Sequence, residues 1–524
     1  MRPKRTPSSL NRAGTASGSA ARLRAVAAAA AAALGAALLS GCVGPRYNPP
    51  KVSAPGEFKE ATPGAWQVAQ PQDAVLKGKW WEIFNEPELN ALEERLNINN
   101  QNIAQYFQNF MAARAQVREA NAGYYPTLST SPAYTRARTP GTLSGATGTA
   151  ATGTAAAGSG AQISTEYALP FDVSWEPDLW GRVRNTVHEY QYAAQVSAAD
   201  LENERLTEQA DLAEYYFELR GQDALQDVYD RTIEADTKSV QLTRALFETG
   251  IDSEQDVAEA EVTLANAQAA GAGVATNRAL YEHAIATLIG KTASEFSLPV
   301  KVLSTAVPPI PLGIPSALLQ RRPDVAAAER TMAQANALIG VEQTAYYPNL
   351  TIAAGAGFES SVLSSLLTAP ARFWSLGATA AETIFDAGLR QATVAQYTAA
   401  YNGDVAAYRQ TVLTAFQQVE DYTATLRVLN GQIALQQAAV AAAQRYLDIE
   451  NSRYETGLDP YLDVMIAETT LLSDQLTEVT LRVSQMSAAV ELIQALGGGW
   501  DVTQLPAASK ITNQSTERTL APPP

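Results

Sequence analysis

The chain has 524 residues, 46% of them hydrophobic and 18% charged, with one Cys and two His. That composition excludes a multi-ligand zinc or iron–sulfur site and leaves no pair of thiols for a disulfide. A formal charge of −16 argues against a basic face for nucleic acid, so no nucleic-acid partner is expected.

Residues 1–41 carry six basic side chains (Arg2, Lys4, Arg5, Arg12, Arg22, Arg24), no acid, and an uninterrupted apolar run from Ala25 to Leu39. This is the order of parts of a signal peptide. The run is fifteen residues, short of the roughly 20 that a membrane-spanning helix needs. It ends in Leu39-Ser40-Gly41-Cys42, and Cys42 is the only Cys of the chain. Removal of 1–41 takes the formal charge to −22. Beyond Cys42 no stretch approaches about 18 consecutive apolar residues, so a bilayer crossing must be made by strands. Residues 42–79 read as an arm, rich in Pro, Gly and Lys from residue 45 onward.

The rest of the chain contains an internal repeat. Phe247-Glu248-Thr249-Gly250 recurs as Tyr454-Glu455-Thr456-Gly457 and Leu219-Arg220 as Leu426-Arg427, both offset by 207. Tyr124-Tyr125-Pro126-Thr127-Leu128 recurs as Tyr346-Tyr347-Pro348-Asn349-Leu350, offset by 222. The first copy is therefore residues 80–307 and the second 323–500. Between them lies a Pro-rich crossover, 308–322, and a tail, 501–524, follows.

In chain order, Thr127 to Thr139 has the Thr, Ser and Tyr content of a strand. The Gly, Ala, Thr and Ser of 140–161 cannot bury a core and form a loop, and Ala161 to Trp175 returns as a second strand. From Arg182 to Phe247 there is no Pro and one Gly, Gly221, and a helix of that length extends about 100 Å. The next helix, within about 182–290, contains Ala269, Ala270, Gly271, Ala272 and Gly273, a run that lets a partner helix approach closely or the helix bend. Pro308-Pro309-Ile310-Pro311 through Pro315 cannot be helical. Copy two repeats the pattern with strands Asn349 to Phe358 and Arg372 to Phe385, then long helices over about 388–496. There Leu472, Leu476, Val479, Val483, Met486, Val490 and Ile493 form the a/d seam of a coiled coil. Four strands per chain cannot close a barrel, since the smallest membrane barrels use about eight, so oligomerisation is required.

Four pieces taken in order resemble the outer membrane efflux proteins of the TolC and OprM type, in their lipoprotein branch. They are Leu39-Ser40-Gly41-Cys42, Lys79-Trp80-Trp81-Glu82-Ile83-Phe84-Asn85-Glu86-Pro87-Glu88-Leu89, the two Tyr-Tyr-Pro strand entries, and Leu318-Leu319-Gln320-Arg321-Arg322-Pro323-Asp324-Val325. The resemblance implies a homotrimer whose twelve strands form one outer-membrane β-barrel continuous with a long α-helical periplasmic barrel. It implies a lipid on Cys42 as the only attached group, no catalytic residue, cofactor or metal, and passive export of small molecules delivered by an inner-membrane pump and a periplasmic adaptor. Rival readings are the duct of a type I secretion system and a non-porous coiled-coil tether. Two departures from the family are the insertion at 140–161 and the run Arg95-Leu96-Asn97-Ile98-Asn99-Asn100.

By the same resemblance, Gly250 and Gly457 mark the tip where the adaptor docks. Asp256 and Asp463, six residues beyond each Gly, are gate candidates, with Arg453 as a latch. Each Asp also sits where the helix dipole favours a negative charge. Gly290-Lys291-Thr292 lacks the opening Gly of a phosphate loop. His188 and His283 read as solvated or packing residues, Arg322-Pro323-Asp324 as a helix start, and Trp80 and Trp81 as packing anchors.

Overall fold

The computed structural model describes residues 43–52, 54–55, 58–60, 78–139, 162–302, 307–310 and 315–511. The expected signal peptide, Cys42, the loop 140–161 and the tail beyond 511 lie outside these residues. The chain divides into two compact units. One takes residues up to Arg46 together with 119–188 and 336–398, and the other takes 47–118, 189–335 and the rest from Ala399. Each unit draws on both sequence repeats.

The first unit contains one antiparallel sheet built from β1 (Thr127–Thr130), β2 (Ala133–Thr139), β3 (Gln162–Trp175), β4 (Asn349–Ser360) and β5 (Arg372–Ala381). β1 and β2 both pair with β3, which pairs with β4, which pairs with β5. The expected first strand is thus broken in two at Ser131-Pro132, where Pro132 has no N–H to give the ladder. The other three strand predictions hold, with β5 ending at Ala381 rather than Phe385. Among the described residues four strand paths lie side by side, so the sheet has an edge at β1/β2 and another at β5.

The register sorts the side chains. On one face lie Leu128, Leu169, Phe171, Val173, Trp175, Leu350, Ile352, Phe358, Trp374 and Leu376, aligned through the pairs Leu128↔Val173, Trp175↔Ile352, Leu169↔Phe358 and Ala356↔Trp374. On the other lie Ser129, Asp172, Thr351, Gly355, Glu359, Ser375 and Thr379. The apolar face is uncovered by the described residues: Trp374 is 81% exposed, Leu376 70% and Leu128 72%.

Nine α-helices are described: α1 (Pro87–Asn99), α2 (Gln101–Ala122), α3 (Arg182–Glu248), α4 (Glu254–Leu288), α5 (Pro315–Arg321), α6 (Pro323–Gln343), α7 (Leu389–Glu455), α8 (Tyr461–Ala495) and α9 (Ala508–Ile511). α3 and α7 have 67 residues each, and α4 and α8 have 35 each. Every bound of α7 and α8 lies 207 residues beyond its counterpart in α3 and α4. The crossover is irregular at 307–310 but closes in α5 instead of extended chain, with Pro315 at the first helical position, where its missing N–H costs nothing.

In the second unit, Trp80, Trp81 and Phe84 form a short 3-10 turn and pack with Leu89, Leu96, Tyr216, Phe217, Val490 and Ile493 in the largest core cluster. Trp80 is fully buried and its Nε1–H donates to Gln209 (3.2 Å). The run Arg95 to Asn100 is where α1 stops. Asn100 is buried, donates to Glu208 (2.8 Å) and to the Leu288 carbonyl (3.0 Å), and accepts from Ile103 N–H (3.0 Å), starting α2. Gly221 has a packing reason: a Cβ there would lie 2.4 Å from Val483 of α8. Gly271 likewise meets Tyr229, while Gly273 faces open space. The expected seam of α8 is buried at Val483, Met486, Val490 and Ile493 and half-buried nearer the helix start. Arg322 grips Asp324 with two hydrogen bonds (2.9 and 2.6 Å) and donates to the Ala495 carbonyl (3.1 Å), the structural role expected of Arg322-Pro323-Asp324.

Candidate functional site

The sheet unit carries aromatic residues where strands enter and leave. Trp180 stacks on Tyr347 (4.9 Å between centroids) and donates Nε1–H to the Pro348 carbonyl (2.8 Å). Trp175 donates to the Tyr124 carbonyl (3.0 Å), and the Arg390 guanidinium lies 5.2 Å above the Tyr346 ring. Both Tyr-Tyr-Pro entries thus belong to one aromatic belt beside an uncovered apolar face. That is the arrangement of a lipid-facing strand surface at its water boundary. No helix among the described residues is long and apolar enough to cross a membrane.

In the helical unit, α3 and α7 end alike. Gly250 (φ +78°) and Gly457 (φ +73°) adopt the left-handed conformation. Gly250 N–H donates to the Phe247 carbonyl and Ile251 N–H to the Leu246 carbonyl, both 2.9 Å; Gly457 to Tyr454 and Leu458 to Arg453 repeat the pair at the same distances. These bonds satisfy helix-end carbonyls, and glycine suits the required φ.

The return helices begin differently. Ser253 caps α4 in a reciprocal box: its N–H donates to Asp256 Oδ2 (3.0 Å), and Asp256 N–H donates to Ser253 Oγ (3.3 Å). The Asp256 carboxylate is therefore committed to its own helix, and no basic residue among those described pairs with it. α8 begins after Pro460, which has no side-chain cap to offer, and Asp463 is free of that duty. It joins Glu450 and Asp459 in a cluster whose carboxylate oxygens lie within 4.8 Å of one another. Arg453 forks onto Asp459 (Nη2 to Oδ1 2.9 Å) and reaches Glu450 at 4.0 Å. That partnership holds the Asp459 carboxyl below its ordinary pKa, chiefly through the Arg453 hydrogen bond. The Glu450 carboxyl is pushed up, first by burial and then by Asp459. Among the described residues this is the one group of three or more acidic, His or Cys side chains near enough to share a cation, and neither His188 nor His283 belongs to it.

Sequence reasoning found Asp463 and Arg453 but missed Asp459 and Glu450. The signal for Asp459 was present, because Gly250-Ile251-Asp252 and Gly457-Leu458-Asp459 recur at the same offset of 207. Asp252 accepts a hydrogen bond from Tyr454 Oη, which joins the two turns. Gly290, in Gly290-Lys291-Thr292, has φ +70° and closes α4 by the same pair of bonds as the other turns. A helix precedes it where a phosphate loop has a strand.

An uncovered apolar sheet face with an aromatic belt, combined with paired long helices in each repeat, defines a membrane channel of the outer-membrane type. Solved structures agree. The outer-membrane channel OprN superposes with a TM-score of 0.78 at 26% identity over 87% of this chain and 99% of that one. The CmeC outer membrane channel of Campylobacter jejuni does so with a TM-score of 0.78 at 22% identity over 91% and 100%, a likeness of fold. The model of the outer membrane efflux protein family matches residues 92–291 and 314–498, and the chain belongs to that family. Relatives include the solvent efflux pump outer membrane protein SrpC of Pseudomonas putida, 29% identical over 89% of this chain and 97% of its own. A probable efflux pump outer membrane protein, SepC, of Pseudomonas putida is 30% identical over 84% and 88%. The protein is an outer-membrane efflux channel with a large helical periplasmic part.

Proposed function

We propose that three copies of the chain pool their strands in one twelve-stranded barrel and their helices in a periplasmic duct, which receives small molecules from an inner-membrane pump through a periplasmic adaptor. The observation that carries this reading is the four-path sheet. Among the described residues nothing covers its apolar face and no strand pairs with either edge, and unpaired edges in a bilayer are not tolerated. Cys42 is the proposed site of the lipid that anchors the arm. The α3–α4 and α7–α8 turns, at Gly250 and Gly457, are the proposed adaptor-docking tip.

The acidic cluster at the second turn is the proposed gate. A threefold axis beside it would bring three sets of Glu450, Asp459 and Asp463 together, where repulsion and bound cations set the degree of closure. Asp463 is the stronger of the two candidates, because Asp256 is occupied by its cap. Asp463→Ala is expected to raise the single-channel conductance of the purified protein in a planar bilayer several-fold and to weaken block by divalent cations. Asp256→Ala is expected to act mainly on stability. Unchanged conductance and cation block in Asp463→Ala, with assembly intact, would remove Asp463 from the gate.

A further inference from the structure

Behind the two turns, α3 and α8 meet across a pair of buried acids that the channel reading does not use. Asp236 of α3 is 1% exposed and Glu468 of α8 is 9% exposed. Neither has an ion-pair partner among the described residues. Both oxygens of Asp236, Oε2 of Glu468 and the hydroxyl of Tyr461 are buried and make no hydrogen bond to the described residues. One bond across the interface is formed, from Ser239 Oγ of α3 to Glu468 Oε1 (3.3 Å). The pair borders a small apolar cluster of Val240, Ala260, Tyr454, Tyr461 and Val464.

A carboxylate enclosed this way is strongly disfavoured unless paired, whereas a carboxylic acid is tolerated. No cation faces the pair among the described residues, and the one hydrogen bond it accepts comes from a neutral hydroxyl, that of Ser239. Tyr461 lies on α8 itself. From α7, Tyr454 turns its hydroxyl to Thr243 and Asp252. From α4, Ala260 and Leu264 pack in that apolar cluster. On α3, Lys238 is engaged with Glu234 (2.7 Å) on the exposed side.

We propose that Asp236 and Glu468 form a proton-holding joint that keeps α3 and α8 packed behind the tip, and that releasing the protons to solvent loosens the two helices. Burial, followed by the charge of Asp236, pushes Glu468 up to about 7, against the opposing hydrogen bond of Ser239. Burial pushes Asp236 up to about 6. The sign follows. Both acids are raised above their unfolded values, so the folded joint binds more protons than the unfolded chain. Its stability is greatest at low pH and falls as pH rises toward 7. Above that, two carboxylates face each other in a buried interface.

The proposal rests on the channel reading only in giving the loosened segment a use at the tip, so it is tested without conductance. Amide hydrogen exchange is measured on the full-length protein in detergent at pH 5.5 and 8.5, corrected for intrinsic exchange. Protection around residues 233–243 of α3 and 461–471 of α8 is expected to fall about tenfold or more at the higher pH. It should stay high at both values in the double variant Asp236→Asn, Glu468→Gln. The single variant Glu468→Gln, kept in case the double variant does not fold, is expected to lose most of the pH response. Equal protection at both pH values in the wild type would overturn the joint. So would an undiminished pH response in the variants, which would point to Glu450, Asp459 and Asp463 instead. A protein that conducts but lacks the exchange response keeps the channel reading and loses this one, and the converse separates them the other way.

Discussion

At the scale of single residues, the repeat explains which matched positions share a role and which do not. Leu219-Arg220 and Leu426-Arg427 were legible as a pair, yet their arginines do different work. Arg220 is buried and binds Glu88 (2.6 Å), Asp223 (2.8 Å) and the Pro299 carbonyl (2.7 Å), whereas Arg427 reaches Glu60 of the N-terminal arm (2.6 Å). Sequence identity at an offset cannot show the neighbour, which comes from a distant stretch of chain. Gly221 is a similar case: it stood out as the one glycine of a long helix, but the cause, Val483, lies on another element. Gly221→Ala gains about 1 kcal/mol of helix propensity and forces a Cβ to within 2.4 Å of Val483, an overpacking that costs about 1–3 kcal/mol. The net expectation is a lower thermal midpoint, restored in the double variant with Val483→Ala. Independent, additive effects of the two substitutions would show that the contact is not the cause.

At the scale of elements, helix bounds were readable because the signals are local and repeated. The predicted Arg182 to Phe247 helix is observed as Arg182–Glu248, and glycine ends both long helices. Strand positions were readable from composition, but the break at Ser131-Pro132 and the helix Pro315–Arg321 were not, although each turns on a visible proline. A proline permits a strand break or a first helical turn equally well, and the choice depends on what the neighbouring chain pairs with. The helix starts after the two tips show the same limit. Asp256 and Asp463 look equivalent in sequence, and what separates them is Ser253 against Pro460 at the cap. Ser253→Ala should remove the reciprocal box and cost about 1 kcal/mol, visible as faster amide exchange in the first turn of α4. No change there would mean that Asp256 stabilises the helix through its charge alone.

At the scale of the whole molecule, the need for partners was legible from counting strands. The faces of the sheet required the register, which aligns Trp374 with Ala356 and Leu169 with Phe358. The anchor is a separate expectation, since Cys42 lies outside the described residues. Cys42→Ser is expected to abolish acylation of the mature protein, read as loss of the lipid mass on the N-terminal peptide. A mature N-terminus at another residue would remove the anchor from the account. Everything else in the account depends on closure of the sheet by further copies of the chain, because a four-path sheet with two free edges cannot line a pore. The mass of the detergent-extracted, conducting species by native mass spectrometry tests this most directly. The account predicts three chains. A conducting species of one chain, with both sheet edges left unpaired, would contradict it.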